Sequence, residues 1–265
     1  MTQTKSPQEI TFTTINGVKT AEYITGLSDG IPVLALHGWG ANISLMQPLA
    51  DALARQGFRV FVPDMPGFGQ SDPPPVTWNV SDYAHWVIAY LDAHGLAQVH
   101  LIGHSFGGRL GLILGADYAS RLHRLALIDS AGVPPRRPLG SRLRLNIYKA
   151  IRDGLYKIGM KSTADNLRAW YTNRYGSADF KSAGVLRETF VKVVNENLLP
   201  YAARISVPTL LIWGDADDDT PLWQAKMLEK TIPDAGLVTF AGAGHYSYLE
   251  HLAETTRILD HFFKA

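Results

Sequence analysis

Val99-His100-Leu101-Ile102 runs directly into Gly103-His104-Ser105-Phe106-Gly107, and a helical pattern then extends from Phe106 to Tyr118. A buried strand that turns at G-x-S-x-G into a helix is the setting that presents a serine hydroxyl at the edge of a sheet. The turn is sharp, and side chains on either side of its apex would clash, so glycines flank the serine. The helix that begins after it directs backbone N–H groups and its positive dipole end toward the apex, where a carbonyl oxygen under attack would become negative. Ser105 is therefore the candidate nucleophile.

Similar runs recur on both sides of this stretch. Thr11 to Ile15 and Val18 to Ile24 flank Asn16-Gly17, a strong short-hairpin signal. Val33 to Leu36, Arg59 to Val62, Leu125 to Ile128, Thr209 to Trp213 and Leu237 to Phe240 are short, apolar and without alternation. Such strands are buried on both faces, as in a parallel sheet covered by helices. Helical patterns occupy Leu45 to Gln56, Val80 to His94, Pro221 to Thr231 and Thr255 to Phe263. The alternation predicts an α/β protein with a doubly wound, mostly parallel sheet begun by an antiparallel hairpin.

One stretch interrupts the alternation. Residues 134–200 lack strand runs and read as helices and loops, with prolines at both edges. They are expected to form a helical insertion over the carboxyl edge of the sheet, leaving residues 1–133 and 201–265 as the core. The insertion holds 8 Arg and 5 Lys against 3 Asp and 2 Glu, a net +8 in a chain of net +1.

A serine hydroxyl needs an adjacent base near neutral pH, usually histidine. Of nine histidines, His245 and His37 directly follow strand runs and His104 adjoins the serine. His245 lies in Gly242-Ala243-Gly244-His245, a loop suited to returning an imidazole over the sheet, and is the candidate base. His85, His94, His100, His123, His251 and His261 read as helix or surface residues. The base needs a carboxylate to fix its tautomer. Gly214-Asp215-Ala216-Asp217-Asp218-Asp219 follows the preceding strand and offers four, with Asp129 at the end of another strand as a competitor. Two N–H donors are required for an oxyanion. Phe106 supplies one, and the Trp39 amide of His37-Gly38-Trp39-Gly40 is the favoured second. His37, Gly38, His104 and Trp170 are candidate substrate contacts. Tyr148, Tyr156, Tyr171 and Tyr175 are further aromatics of the insertion, for which packing is the simpler expectation.

Five motifs in order resemble the α/β-hydrolase superfamily over nearly the whole chain. They are His37 to Gly40, Asp64-Met65-Pro66-Gly67-Phe68-Gly69-Gln70-Ser71-Asp72, Gly103 to Gly108, Gly214 to Asp217 with Pro221, and Gly244-His245 with Glu250. The resemblance selects Asp217 as the acid. It also implies that the insertion is a cap roofing the pocket, and that neither metal nor organic cofactor is used. Family members with an aspartate nucleophile, the haloalkane dehalogenases and epoxide hydrolases, are argued against by Ser105.

The expected activity is a serine hydrolase cleaving small to medium carboxylic esters. The alternative is a C–C hydrolase of the meta-cleavage type, motivated by Arg136, Arg137, Arg142, Arg144 and Arg168 as a fork for a substrate carboxylate. A third possibility is a non-catalytic binder on the same fold. The partner is then a small ester or acyl substrate. The near-neutral balance of 25 basic and 24 acidic residues calls for no nucleic acid or membrane surface. The absence of cysteine excludes disulfides and thiolate chemistry. No signal peptide or membrane span is legible, so a cytoplasmic soluble protein is the default expectation, with oligomeric state open.

Overall fold

A computed structural model describes residues 9–134, 139–175 and 178–265. Eight strands form one sheet: β1 (Thr11–Ile15), β2 (Val18–Thr25), β3 (Ile31–Leu36), β4 (Phe58–Pro63), β5 (Val99–His104), β6 (Leu122–Ile128), β7 (Thr209–Gly214) and β8 (Ala235–Phe240). Their order is β1-β2-β4-β3-β5-β6-β7-β8. The pairs β1–β2 and β2–β4 are antiparallel, and every other pair is parallel. At the β1–β2 turn, Asn16 and Gly17 both have positive φ, 49° and 81°. That is the backbone a two-residue primed turn demands and the reason Asn-Gly marks it.

The helices are α1 (Ile43–Ala54), α2 (Val80–Ala93), α3 (Phe106–Asp117), α4 (Leu139–Lys157), α5 (Lys161–Tyr175), α6 (Ala178–Ser182), α7 (Arg187–Asn195), α8 (Leu199–Ala202), α9 (Leu222–Thr231), α10 (Ser247–Glu250) and α11 (Leu252–Lys264). Every residue of β5 is buried. One apolar core lies on the face covered by α2, α3 and α9, with Trp86, Tyr90, Leu110 and Leu228 among its residues. A second lies on the opposite face, where Met46, Leu49 and Leu53 of α1 meet Leu259 and Phe263 of α11. Burial on both faces explains why the parallel strands read as continuous apolar runs. The doubly wound, mostly parallel architecture expected from the sequence is the one present. Between β6 and β7 the described chain is helical, from α4 through α8.

The loop after β4 is folded around one buried carboxylate. Asp64 Oδ1 accepts from the Ile43 amide at 2.7 Å and Oδ2 from the Gln70 amide at 2.8 Å. Gly69 has φ 54°, and a Cβ there would lie 2.0 Å from Asp64 Oδ2. The carboxylate thus holds the start of α1 and the loop after β4 together. Asp64→Ala leaves both amide donors without their charged acceptor. It is expected to lower the unfolding free energy by about 2–4 kcal/mol, read as a reduced urea midpoint at unchanged slope.

Candidate active site

Ser105 sits between β5 and α3 with φ 49° and ψ −104°, a left-handed conformation for a residue bearing a Cβ. Such strain persists only where the surroundings enforce it. Here they do: the Ser105 amide donates to Ile128 O at 3.1 Å, and its carbonyl accepts from Gly108 and Ala131 at 3.1 Å each. A Cβ on Gly107 would lie 2.3 Å from Leu36 O, and one on Gly103 would lie 2.5 Å from Gly107 O. The steric role of these glycines is therefore a close approach of α3 to β3 and of the turn to itself.

Three side chains distant in sequence meet at this turn. His245 Nε2 is 3.0 Å from Ser105 Oγ, and His245 Nδ1 is 2.8 Å from Asp217 Oδ2. The tautomer that satisfies both has Nδ1–H donating to the carboxylate while Nε2 accepts from the hydroxyl. The Asp217 side chain is fully buried and that of His245 mostly so. Asp217 Oδ1 accepts from the amides of Asp219 at 2.8 Å and Thr220 at 2.9 Å, and Thr220 Oγ1 donates to Oδ2 at 2.7 Å. Burial disfavours the Asp217 anion, yet hydrogen bonds from His245 and Thr220 hold its pKa below the ordinary carboxylate value. Burial likewise disfavours imidazolium at His245, but the hydrogen bond and charge of Asp217 outweigh it and raise the pKa above the usual histidine value.

Asp129 takes a different place. Its φ is 44° and its side chain is enclosed. Oδ1 accepts from the Gly214 amide at 2.9 Å, and Oδ2 accepts from Ser247 through N at 3.1 Å and Oγ at 2.7 Å. It ties the end of β7 to the segment after His245 instead of touching the imidazole. Burial pushes its pKa up to about 7, against those hydrogen bonds.

The amides of Phe106, first residue of α3, and of Trp39 have no hydrogen-bond acceptor among the described residues. The first N–H groups of a helix have no intrahelical partner. Trp39 and Phe106 both line a cavity of about 310 Å³ together with Gly38, His104, Ser105 and His245. Phe190, Val193 and Val194 of α7 form another part of its wall, joined by Arg109, Gln224 and Tyr246.

Two expected substrate contacts lie elsewhere. His37 is enclosed, with Nδ1 donating to Gly38 O at 2.7 Å and Nε2 accepting from the Met65 amide at 3.0 Å. Both ring nitrogens are spent on backbone, so His37 holds the loop in shape and is absent from the cavity wall. Trp170 is 57% exposed on α5, beside Tyr171 and Tyr175, and does not reach the cavity. Tyr148 stacks on Tyr171 at 3.9 Å between α4 and α5, also outside the wall. Arg136 and Arg137 lie outside the described residues, as does the Arg142 side chain. Arg144 sits over the Tyr175 ring at 3.9 Å, and neither it nor Arg168 lines the cavity. His100, expected at a surface or in a helix, is buried in β5 and stacked on Phe263.

Sequence reasoning missed Thr220, Arg109 and the α7 residues. Thr220 stands two residues beyond Asp218 in an acidic turn, and the Asx-type bonding of Asp217 to residues 219 and 220 was the available signal. His104 donates from Nε2 to His245 O at 2.8 Å. Burial first, then the neighbouring His245, lower its pKa to about 3.

A family profile described as alpha/beta hydrolase fold matches residues 31–147, and one described as TAP-like protein matches residues 192–264. Lipase 1 of Psychrobacter immobilis is 28% identical, the match covering 95% of this chain and 83% of the lipase. A 2-hydroxy-6-oxononadienedioate/2-hydroxy-6-oxononatrienedioate hydrolase of Burkholderia vietnamiensis is 29% identical, over 91% of this chain and 89% of its own. The solved structure of an esterase from Exiguobacterium antarcticum superposes with a TM-score of 0.73 at 24% identity, covering 97% of this chain and all of the esterase.

The two neighbouring imidazoles should titrate differently. NMR of the ring resonances is expected to keep His104 neutral down to pH 4, while His245 takes up its proton with a midpoint above 6.5. Protonation of His104 near pH 6 would contradict the enclosure described for it.

Proposed function

Because this chain belongs to the α/β-hydrolase superfamily, we propose that it is a serine hydrolase cleaving carboxylic esters of small to medium substrates through an acyl-enzyme. The observation that carries this reading is the continuous hydrogen-bonded line from Ser105 Oγ through His245 to Asp217. In this mechanism Ser105 Oγ attacks the acyl carbon as its proton passes to His245 Nε2. The amides of Trp39 and Phe106 receive the oxyanion, and fixed donors of this kind are worth more in a site shielded from water. The imidazolium then protonates the departing alkoxide, leaving the acyl group on Ser105. Water gives a proton to Nε2 as its oxygen attacks the acyl carbon, and Ser105 recovers that proton as the acid leaves. Asp217 keeps the tautomer and stabilises the imidazolium without taking the proton itself. In the same reading residues 134–200 act as a cap on a core of 1–133 and 201–265, with Phe190, Val193 and Val194 facing the acyl chain.

A second reading is C–C bond hydrolysis of an anionic vinylogous diketone. Arg109 favours it. The residue is 6% exposed and lines the cavity, and among the described residues its guanidinium bonds only to the carbonyls of Glu196 at 3.1 Å and Val194 at 3.4 Å. Among the described residues no carboxylate pairs with it, so a guanidinium with unused donors faces a cavity that a substrate anion could enter.

Ser105→Ala is expected to lower turnover of p-nitrophenyl butyrate by at least about 10³-fold. Only neutral His245 can accept the serine proton, so activity falls as pH drops through its raised pKa. The acid limb of the rate profile should lie above pH 6.5. Asp217→Asn removes the charge that raises that pKa, moving the limb down while kcat falls on the order of 10³-fold. Undiminished turnover by Ser105→Ala would refute the mechanism.

The second reading is checked with a ring-fission acid and spectrophotometric detection. Arg109→Gln should then reduce kcat/KM for that acid by about 10- to 100-fold, mainly through KM, and leave p-nitrophenyl butyrate nearly unaffected. Equal losses on both substrates would make Arg109 a tether for α7 alone.

A further inference from the structure

The helix α4 carries an apolar stripe that no described residue covers. Leu143, Ile147 and Ile151 follow one another at intervals of four, and Ile158 lies seven residues beyond Ile151, just past the helix end. At 3.6 residues per turn these positions share one narrow face. Their exposures are 62%, 51%, 52% and 70%. Single exposed aliphatics are ordinary, but a continuous line over four turns is not.

The other side of α4 is used. Tyr148 stacks on Tyr171, Tyr156 Oη donates to Asp165 at 2.5 Å, and Arg144 lies over Tyr175, so α4 packs chiefly on α5. The stripe points away from this seam. These residues are not adjacent in sequence and become neighbours only on the helix.

Charge identifies what could cover it. Residues 139–175 contain eight Lys and Arg against two Asp, a net +6 in a chain whose total is +1. Lys157 and Lys161, which flank Ile158 at the end of the stripe, are exposed, and no ion pair holds either of them among the described residues. Two copies meeting through this face would bring like charges together. An anionic surface of headgroups would meet the lysines while the aliphatic line entered the acyl boundary. Among the described residues no helix is long and apolar enough to cross a membrane. A basic helix with a narrow apolar stripe is instead of the kind that lies in the interface plane.

We propose that the α4–α5 hairpin docks this protein on anionic phospholipid bilayers, with Leu143, Ile147, Ile151 and Ile158 as the inserted line and Lys157 and Lys161 as the headgroup contacts. This surface is independent of the chemistry assigned to Ser105. The test is co-sedimentation of the full chain with phosphatidylcholine vesicles and with vesicles containing about one-third phosphatidylglycerol. Wild type should partition at least about tenfold more strongly onto the anionic vesicles, and high salt should weaken that preference.

Ile147→Asn with Ile151→Asn should reduce partitioning about tenfold at unchanged circular dichroism and Tm. Lys157→Glu with Lys161→Glu separately probes the charge arm and should abolish the lipid preference. Weak and equal wild-type binding to both vesicle types would overturn the proposal. So would binding that neither double variant alters. A wild-type dimer in sedimentation equilibrium that Ile147→Asn/Ile151→Asn converts to monomer, without vesicle binding, would make the face a self-contact and overturn it as well.

Discussion

The carbonyl oxygen of Leu36 occupies the place where a side chain on Gly107 would begin. That contact brings the first turn of α3 against the end of β3, closer than any residue with a Cβ would permit. The Gly107 amide confirms the approach by donating to His37 O at 3.0 Å. Phe106 at the head of α3 and Trp39 in the loop after β3, whose amides have no acceptor among the described residues, therefore line one small volume. On the other side of the turn, bonds to Ile128 and Ala131 hold the elbow at Ser105 in its left-handed backbone. Without the close approach the hydroxyl, the amide pair and the loop would drift independently, and preorganisation of donors is what makes such a site effective.

Two buried carboxylates near the imidazole divide the work of support. Asp217 collects four donors and remains the charged partner of His245. Asp129 also accepts three hydrogen bonds, but from Gly214 and Ser247, and its pKa is driven up to about 7 by burial. It fastens the two loops that carry Asp217 and His245 to the end of β6. Neighbouring environments that push two carboxyl groups in opposite directions are how one small site assigns them different tasks.

The sheet was legible because strands buried on both faces cannot alternate, and the helices between them showed the longer period. Ser105, His245 and Asp217 were legible for a different reason: each lies where an apolar run stops at glycine or aspartate, at the edge where a doubly wound sheet gathers its loops. His37 satisfied the same rule and proved to be a backbone clamp, since position after a strand does not say whether the ring nitrogens are already occupied. Trp170 failed for want of contacts: its helix packs on α4, which the sequence could not reveal. Arg109 was hidden inside an apolar helix, where only the carbonyls of Val194 and Glu196 give its guanidinium a direction. The stripe on α4 emerged only from the exposures of its residues, since periodicity alone does not say which face of a helix stays uncovered.

The ring of residue 104 grips the main-chain carbonyl of residue 245. Because His104 is covalently joined to the elbow, the separation of hydroxyl and imidazole is constrained by a bridge from a side chain on one loop to the main chain of the other, not by rotamer choice alone. Acid strong enough to charge that buried ring would load the bridge with a cation beside a second imidazole, and so strain the coupling where the two loops meet.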